Sequence, residues 1–176
     1  MKNIIIKSAA IISLSVLATG CAMPAATENM IIHPAASKIP VSQKYKGAMA
    51  VRDVTGGEET NPLWTSQVDN ASFKEALEKS LAEIGYNAPD GKKPRYFIDA
   101  DLRSLDQPFI GLDFDVSANV VYNVEKNGVK TKYPINAVGT ASVSDAFIAV
   151  ERLKIANERA IKENIKYFFT TIAKPE

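Results

Sequence analysis

From Leu112 to Glu125 the chain alternates. Leu112, Phe114, Val116, Ala118, Val120, Tyr122 and Val124 are interleaved with Asp113, Asp115, Ser117, Asn119, Val121, Asn123 and Glu125. A period of two puts the first set on one face of a strand. Asn127-Gly128 follows, the preferred pair for a two-residue type I′ hairpin turn. Such a turn sets the register. Val124 faces Thr131, Tyr122 faces Tyr133, Val120 faces Ile135, Ala118 faces Ala137 and Phe114 faces Ala141. The apolar residues of both strands then share one face, as burial of that face requires. Pro134 falls opposite Val121 at a non-hydrogen-bonded position, so the returning strand belongs at an edge.

Other segments have other periods. Phe73, Ala76, Leu77, Leu81 and Ile84 recur at spacings of three and four, which predicts a helix over 70–84. Asp69, Asn70 and Ser72 are candidate N-caps, Ser72 and Glu75 have capping-box spacing, and Gly85 suits the left-handed C′ position. A second helix is predicted over 145–173. Its stripe is Leu153, Ala156, Ala160, Ile161, Ile165, Phe168 and Ile172; Glu151, Arg152, Lys154, Glu158, Arg159, Lys162, Glu163 and Lys166 mostly face water. Phe168 and Phe169 widen that stripe or mark a contact with a partner helix or a membrane. Strands are predicted at 47–54 and 96–105, with Gln107-Pro108 ending the second. The order β-α-β-β-β-α predicts an α+β two-layer sandwich. Its four-stranded sheet is mostly antiparallel, the first two strands parallel through one right-handed crossover, and both helices lie on one face.

The N-terminus has a different character. Lys2 and Lys7 precede the apolar run 8–19, which as a helix would span ~18 Å, too short for a ~30 Å hydrocarbon core. A basic start, a short apolar middle and small residues at the end make a signal peptide. The end reads Leu17-Ala18-Thr19-Gly20-Cys21. This resembles the lipobox of bacterial lipoproteins, which usually has Leu where Ala18 stands. The resemblance implies cleavage before Cys21 and acylation of that residue. Ala22, where an Asp would signal retention at the inner membrane, implies the outer membrane, with the protein facing the periplasm. Cleavage would leave 156 residues and remove Lys2 and Lys7, taking the net charge from +1 to −1. A basic patch is therefore not the anchor, and the acyl chains are. The expected organisation is a signal peptide over 1–20, the lipidated Cys21 with a flexible Pro- and Ala-rich tether over 21–46, and one domain over 47–176.

Composition narrows the chemistry. A net charge of +1 argues against nucleic acid as partner. One Cys and one His exclude an intrachain disulfide and a Cys/His zinc cluster, and His33 lies in the tether. No cofactor or metal is expected. Three features could carry function. Asp99, Asp101, Asp113 and Asp115 lie on the polar face as i, i+2 pairs. They form either a cluster able to bind Ca²⁺ or do acid–base work, or a solvated face. The loop 55–69 has Thr55-Gly56-Gly57 but no phosphate-binding motif, and Glu58-Glu59 would repel phosphate. In that loop Trp64, with Leu63 and Pro62, is either an anchor for a protein partner or a cover for the core edge. The third is the 168–169 pair.

The element order and the N-terminal anchor are similar to small envelope lipoproteins of the lipopolysaccharide-assembly, penicillin-binding-protein-activator and transporter-auxiliary kinds. The segments VTGGEETNPLW and ERLKIANERAIKENI resemble a family of small lipoproteins, some labelled UDP-N-acetylglucosamine acyltransferase. Enzymes of that name have hexapeptide repeats and a catalytic His, and this chain has no hexapeptide period. The expectation is a non-enzymatic binding or assembly module held on the membrane by its acyl chains, with a protein of the envelope as partner. A carrier of a small apolar ligand or lipid, or an enzyme using the Asp cluster, are the alternatives.

Overall fold

The computed structural model describes residues 21–62, 65–108 and 110–174. Residues 1–20, where the signal peptide is expected, and Leu63 and Trp64 lie outside the described residues. Eight elements follow in order: α1 (Thr27–Met30), α2 (Pro34–Ser37), β1 (Met49–Thr55), α3 (Asn70–Ile84), β2 (Tyr96–Asp106), β3 (Phe114–Lys126), β4 (Val129–Ala141) and α4 (Ala149–Ala173). The strands lie in the order β1-β2-β3-β4. β1 runs parallel to β2 and the other pairs are antiparallel. The α+β sandwich predicted from the alternating pattern is the fold observed.

The hairpin register is the one its turn dictates. Val124 pairs with Thr131, Val121 with Pro134 and Phe114 with Ala141. Asn127 and Gly128 both take positive φ, +52° and +82°. Pro134 lies on β4, an edge strand. Phe114, Val116, Ala118, Val120, Tyr122 and Val124 are buried as one face. β3 starts at Phe114, however. Leu112, which continues the alternation, lies before the strand and is 75% exposed.

α3 begins at Asp69, whose carboxylate accepts the Ser72 N–H and hydroxyl, both at 2.8 Å. It ends at Gly85, φ +77°. The capping box does not form, because Asp69 takes the Ser72 N–H and Glu75 turns to Lys79 at 2.9 Å. α4 starts four residues later than its sequence predicts, at Ala149. It lies close over β4: a Cβ added to Gly139 would stand 2.1 Å from the Ala160 nitrogen. Only glycine permits that approach. Phe168 and Phe169 both belong to the core, Phe168 stacked on Tyr122 at 4.0 Å.

Two sequence expectations are corrected. The stretch 22–46 is packed onto the domain. Ala25, Met30, Ile32, Ile39 and Tyr45 belong to the core, and the Ile32 N–H donates to Ser80 Oγ at 3.0 Å. The prolines and alanines suited a linker, but the Met30-Ile31-Ile32 triplet has enough apolar surface to hold the segment down. The second concerns α4. Arg152 and Glu158 are buried rather than solvated, because the face they occupy is covered by the β2–β3 loop and by this N-terminal segment.

Candidate functional site

The end of the sheet where β1, β2 and β4 finish and β3 starts gathers three loops, 56–69, 107–113 and 142–148, together with the first turns of α3 and α4. Between them opens a cleft of about 710 Å³. Leu105, Pro108, Phe114, Ala149, Val150 and Leu153 give it an apolar lining; Thr65, Gln67, Asp106 and Gln107 supply polar groups. Its size and mixed lining match those of small-ligand and side-chain pockets.

The walls are tied together by a polar network. Gln107 donates from Nε2 to the Ser66 carbonyl at 2.9 Å and to Asn157 Oδ1 at 3.0 Å. Its Oε1 accepts the Thr65 hydroxyl at 2.8 Å. Asn157 Nδ2 reaches the same Ser66 carbonyl at 2.9 Å, and Ser66 Oγ donates to the Met23 carbonyl at 2.7 Å. Ser66 and Asn157 are fully buried, so removing Gln107 would leave the Asn157 Oδ1 without the donor it has here. Arg152 performs the same service for the other loops. Its guanidinium donates to the carbonyls of Ala146 (3.0 Å), Phe147 (2.7 Å) and Gly111 (3.4 Å) and sits over the Phe114 ring at 5.2 Å. Arg152 Nε finds no partner among the described residues.

Sequence reasoning missed these residues. Gln107 reads as the first half of a strand-breaking pair, and Arg152 as a solvent-facing helix position. Only the sheet order brings 66, 107, 111 and 157 together.

The structure disperses the acidic residues. β2 and β3 are neighbours, but antiparallel pairing sets Asp99 opposite Asn123. That is eight residues along β3 from Asp115, or ~27 Å. Asp99 is bound by Arg52, Nε to Oδ1 at 2.7 Å, and Arg52 also reaches Glu125 at 2.9 Å. The Arg52 hydrogen bond holds the Asp99 carboxyl below its ordinary pKa, against the opposing effect of burial. Asp101 pairs with Arg103 at 2.8 Å, Asp115 accepts the Thr140 hydroxyl at 2.6 Å, and Asp113 is exposed ahead of β3. Among the described residues no three or more His, Cys, Asp and Glu side chains are placed to hold a metal ion.

Of the predicted loop anchor, Pro62 is exposed, and its carbonyl accepts the Ala22 N–H at 2.9 Å. Leu63 and Trp64 fall outside the described residues. Cys21 is a free, exposed thiol. The Ala22–Pro62 and Met23–Ser66 bonds place it at the cleft end of the domain.

Solved structures of other proteins share the fold, two of them as follows. One is a "putative lipoprotein" from Caulobacter crescentus. It aligns with a TM-score of 0.53 at 14% identity, covering 74% of this chain and 91% of that one. The other is a Xanthomonas campestris protein of family DUF330, with a TM-score of 0.51 at 8% identity, covering 77% and 90%. At these identities the likeness is one of fold. No family model matches the chain. No curated protein matches it either. Among the described residues no helix is long and apolar enough to cross a membrane.

Proposed function

We propose that this protein is an envelope lipoprotein, held on the periplasmic side of the outer membrane by acyl chains on Cys21, and that it acts as a non-enzymatic binding module. The lipobox-like Leu17–Cys21 run supports the anchor, and the fold shared with the Caulobacter crescentus protein is consistent with it. The observation that carries the binding role is the cleft. Its apolar lining and its bonded Gln107–Ser66–Asn157 wall form a preorganised receptor for an apolar side chain flanked by polar backbone. The partner is a protein of the envelope.

A photo-crosslinking amino acid at Val150, in the cleft lining, tests this in intact cells. A discrete protein adduct at 150, absent when the probe replaces Lys132 on β4, is the expected result. No adduct at 150, or the same adducts at both positions, would overturn it. The cleft volume also favours a second reading, carriage of a small apolar ligand or lipid. That reading requires an apolar molecule to leave with the protein in native mass spectrometry, and to be lost on Leu105→Gln.

A further inference from the structure

Among the described residues the large apolar side chains left exposed are unevenly placed. Ten are at least 46% exposed, and six of them, Met23, Ile110, Leu112, Val143, Phe147 and Ile148, belong to the loop end that carries Cys21. Ile110 and Phe147 are each 92% exposed. Isolated surface apolar residues are ordinary, but a group on neighbouring loop tips marks an interface. Nor are the tips free to fold back. Arg152 holds the carbonyls of Gly111, Ala146 and Phe147, so the residues beside and between them point outward from a pinned backbone.

The occupant follows from where the proposed anchor, Cys21, lies. A chain of hydrogen bonds runs from the residue after Cys21 to these tips. Ala22 binds Pro62, Met23 binds Ser66, Ser66 binds Gln107 at the root of the 107–113 loop, and Arg152 joins that loop to 142–148. The stretch 22–46 is packed rather than loose, so acyl chains on Cys21 would bring this end of the domain to the lipid surface. We propose that the loop tips 110–112 and 147–148 dock into the bilayer beside the anchor, so that this end of the domain rests on the membrane and the cleft takes its partner at the lipid surface. The proposal rests on the acylation of Cys21 proposed above.

Charge selects the kind of contact. Residues 56–69, 107–113 and 142–148 contain Glu58, Glu59, Asp69, Asp113 and Asp145 and no Lys or Arg. Attraction to anionic headgroups therefore plays no part, and the contact is apolar insertion at the boundary between headgroups and acyl chains. It should hold in neutral phosphatidylcholine and be insensitive to salt.

The test uses the mature acylated protein in phosphatidylcholine vesicles, with an environment-sensitive fluorophore on Phe147→Cys, Leu112→Cys or, at the far end of the hairpin, Asn127→Cys. All three positions are exposed, so labelling leaves the core intact. Phe147 and Leu112 probes should shift to the blue and be quenched several-fold more by shallow spin-labelled lipid than the Asn127 probe, equally at low and high salt. Equal, weak quenching at all three sites would overturn the proposal. So would a blue shift that appears without vesicles and grows with protein concentration, because a second copy would then be the occupant. The mass of the Cys21 peptide, read in the same samples, separates failure of docking from failure of acylation.

Discussion

Glu158 offers the sharpest test of how the N-terminal segment is held. Its side chain is almost fully buried on α4, where one carboxylate oxygen accepts the Ala26 N–H at 2.7 Å and the other accepts Asn29 Nδ2 at 2.8 Å. Lys154 lies 2.9 Å away. Hydrogen bonds to a charged group are each worth ~1.5–3 kcal/mol. Glu158→Ala removes two of them, and Lys154 can turn part-way to Glu151, at 3.6 Å. A loss of about 3 kcal/mol in the docking of 22–32 results. The segment does not detach outright, since burying Met30 and Ile32 still contributes ~1.5–3 kcal/mol apiece. At ~1.4 kcal/mol per tenfold, local opening becomes roughly a hundredfold more frequent. Hydrogen exchange reads this directly at the Ala25 and Ile32 amides, which bind the Gln67 carbonyl and Ser80 Oγ. Their exchange should accelerate about a hundredfold while β3 amides are unchanged. Unaltered exchange in the variant, or free exchange of 22–32 in the wild type, would refute the reasoning.

Three further outcomes follow from the packing. Gly139→Ala places a methyl against the α4 backbone and should cost ~1–3 kcal/mol by denaturant melts, whereas Gly128→Ala, with no atom within 4 Å, pays only for its positive φ. Asn164→Leu strands the buried Tyr122 hydroxyl and removes the amide's bonds to the Ala118 and Ile135 carbonyls, and should cost ~2–4 kcal/mol; retaining Asn164 with Tyr122→Phe should cost less. Acid should destabilise the fold. At Asp99 the Arg52 hydrogen bond lowers the pKa. At Asp69 burial raises it, but the Ser72 hydrogen bonds outweigh that and the net shift is downward. A depressed folded pKa contributes stability that is complete above the unfolded value of ~4 and is lost as pH falls through the folded one. Unfolding free energy should thus be level near neutrality and fall below about pH 4. Asp69→Ala should lower it by ~1 kcal/mol at pH 7 and flatten part of the acid slope.

The sheet was legible because its information is local. The alternation into Asn127-Gly128 determines faces and register together, and Pro134 names the edge. The helices were legible for the same reason, through stripes of period 3.6. What escaped were residues whose role is set by a neighbour far along the chain. Arg152 and Glu158 lie on what helical periodicity assigns to water, and only the 107–113 loop and residues 26–29 make those positions interior. The acidic face failed differently. The adjacency of β2 and β3 was foreseeable, but the antiparallel offset that separates Asp99 from Asp115 was not, because the connection between those strands has no turn motif to set it. Leu112 shows the limit of periodicity itself: it continues the pattern past the last residue the strand holds.

The proposed anchor, and the membrane docking built on it, require Cys21 to be the acylated first residue of the mature protein. Mass spectrometry of the N-terminal peptide from the native membrane fraction decides it. The predicted result is a peptide beginning at Cys21 with diacylglycerol on its sulfur and an acyl group on its amine. A bare Cys21 thiol, or a chain still carrying residues 1–20, would contradict it.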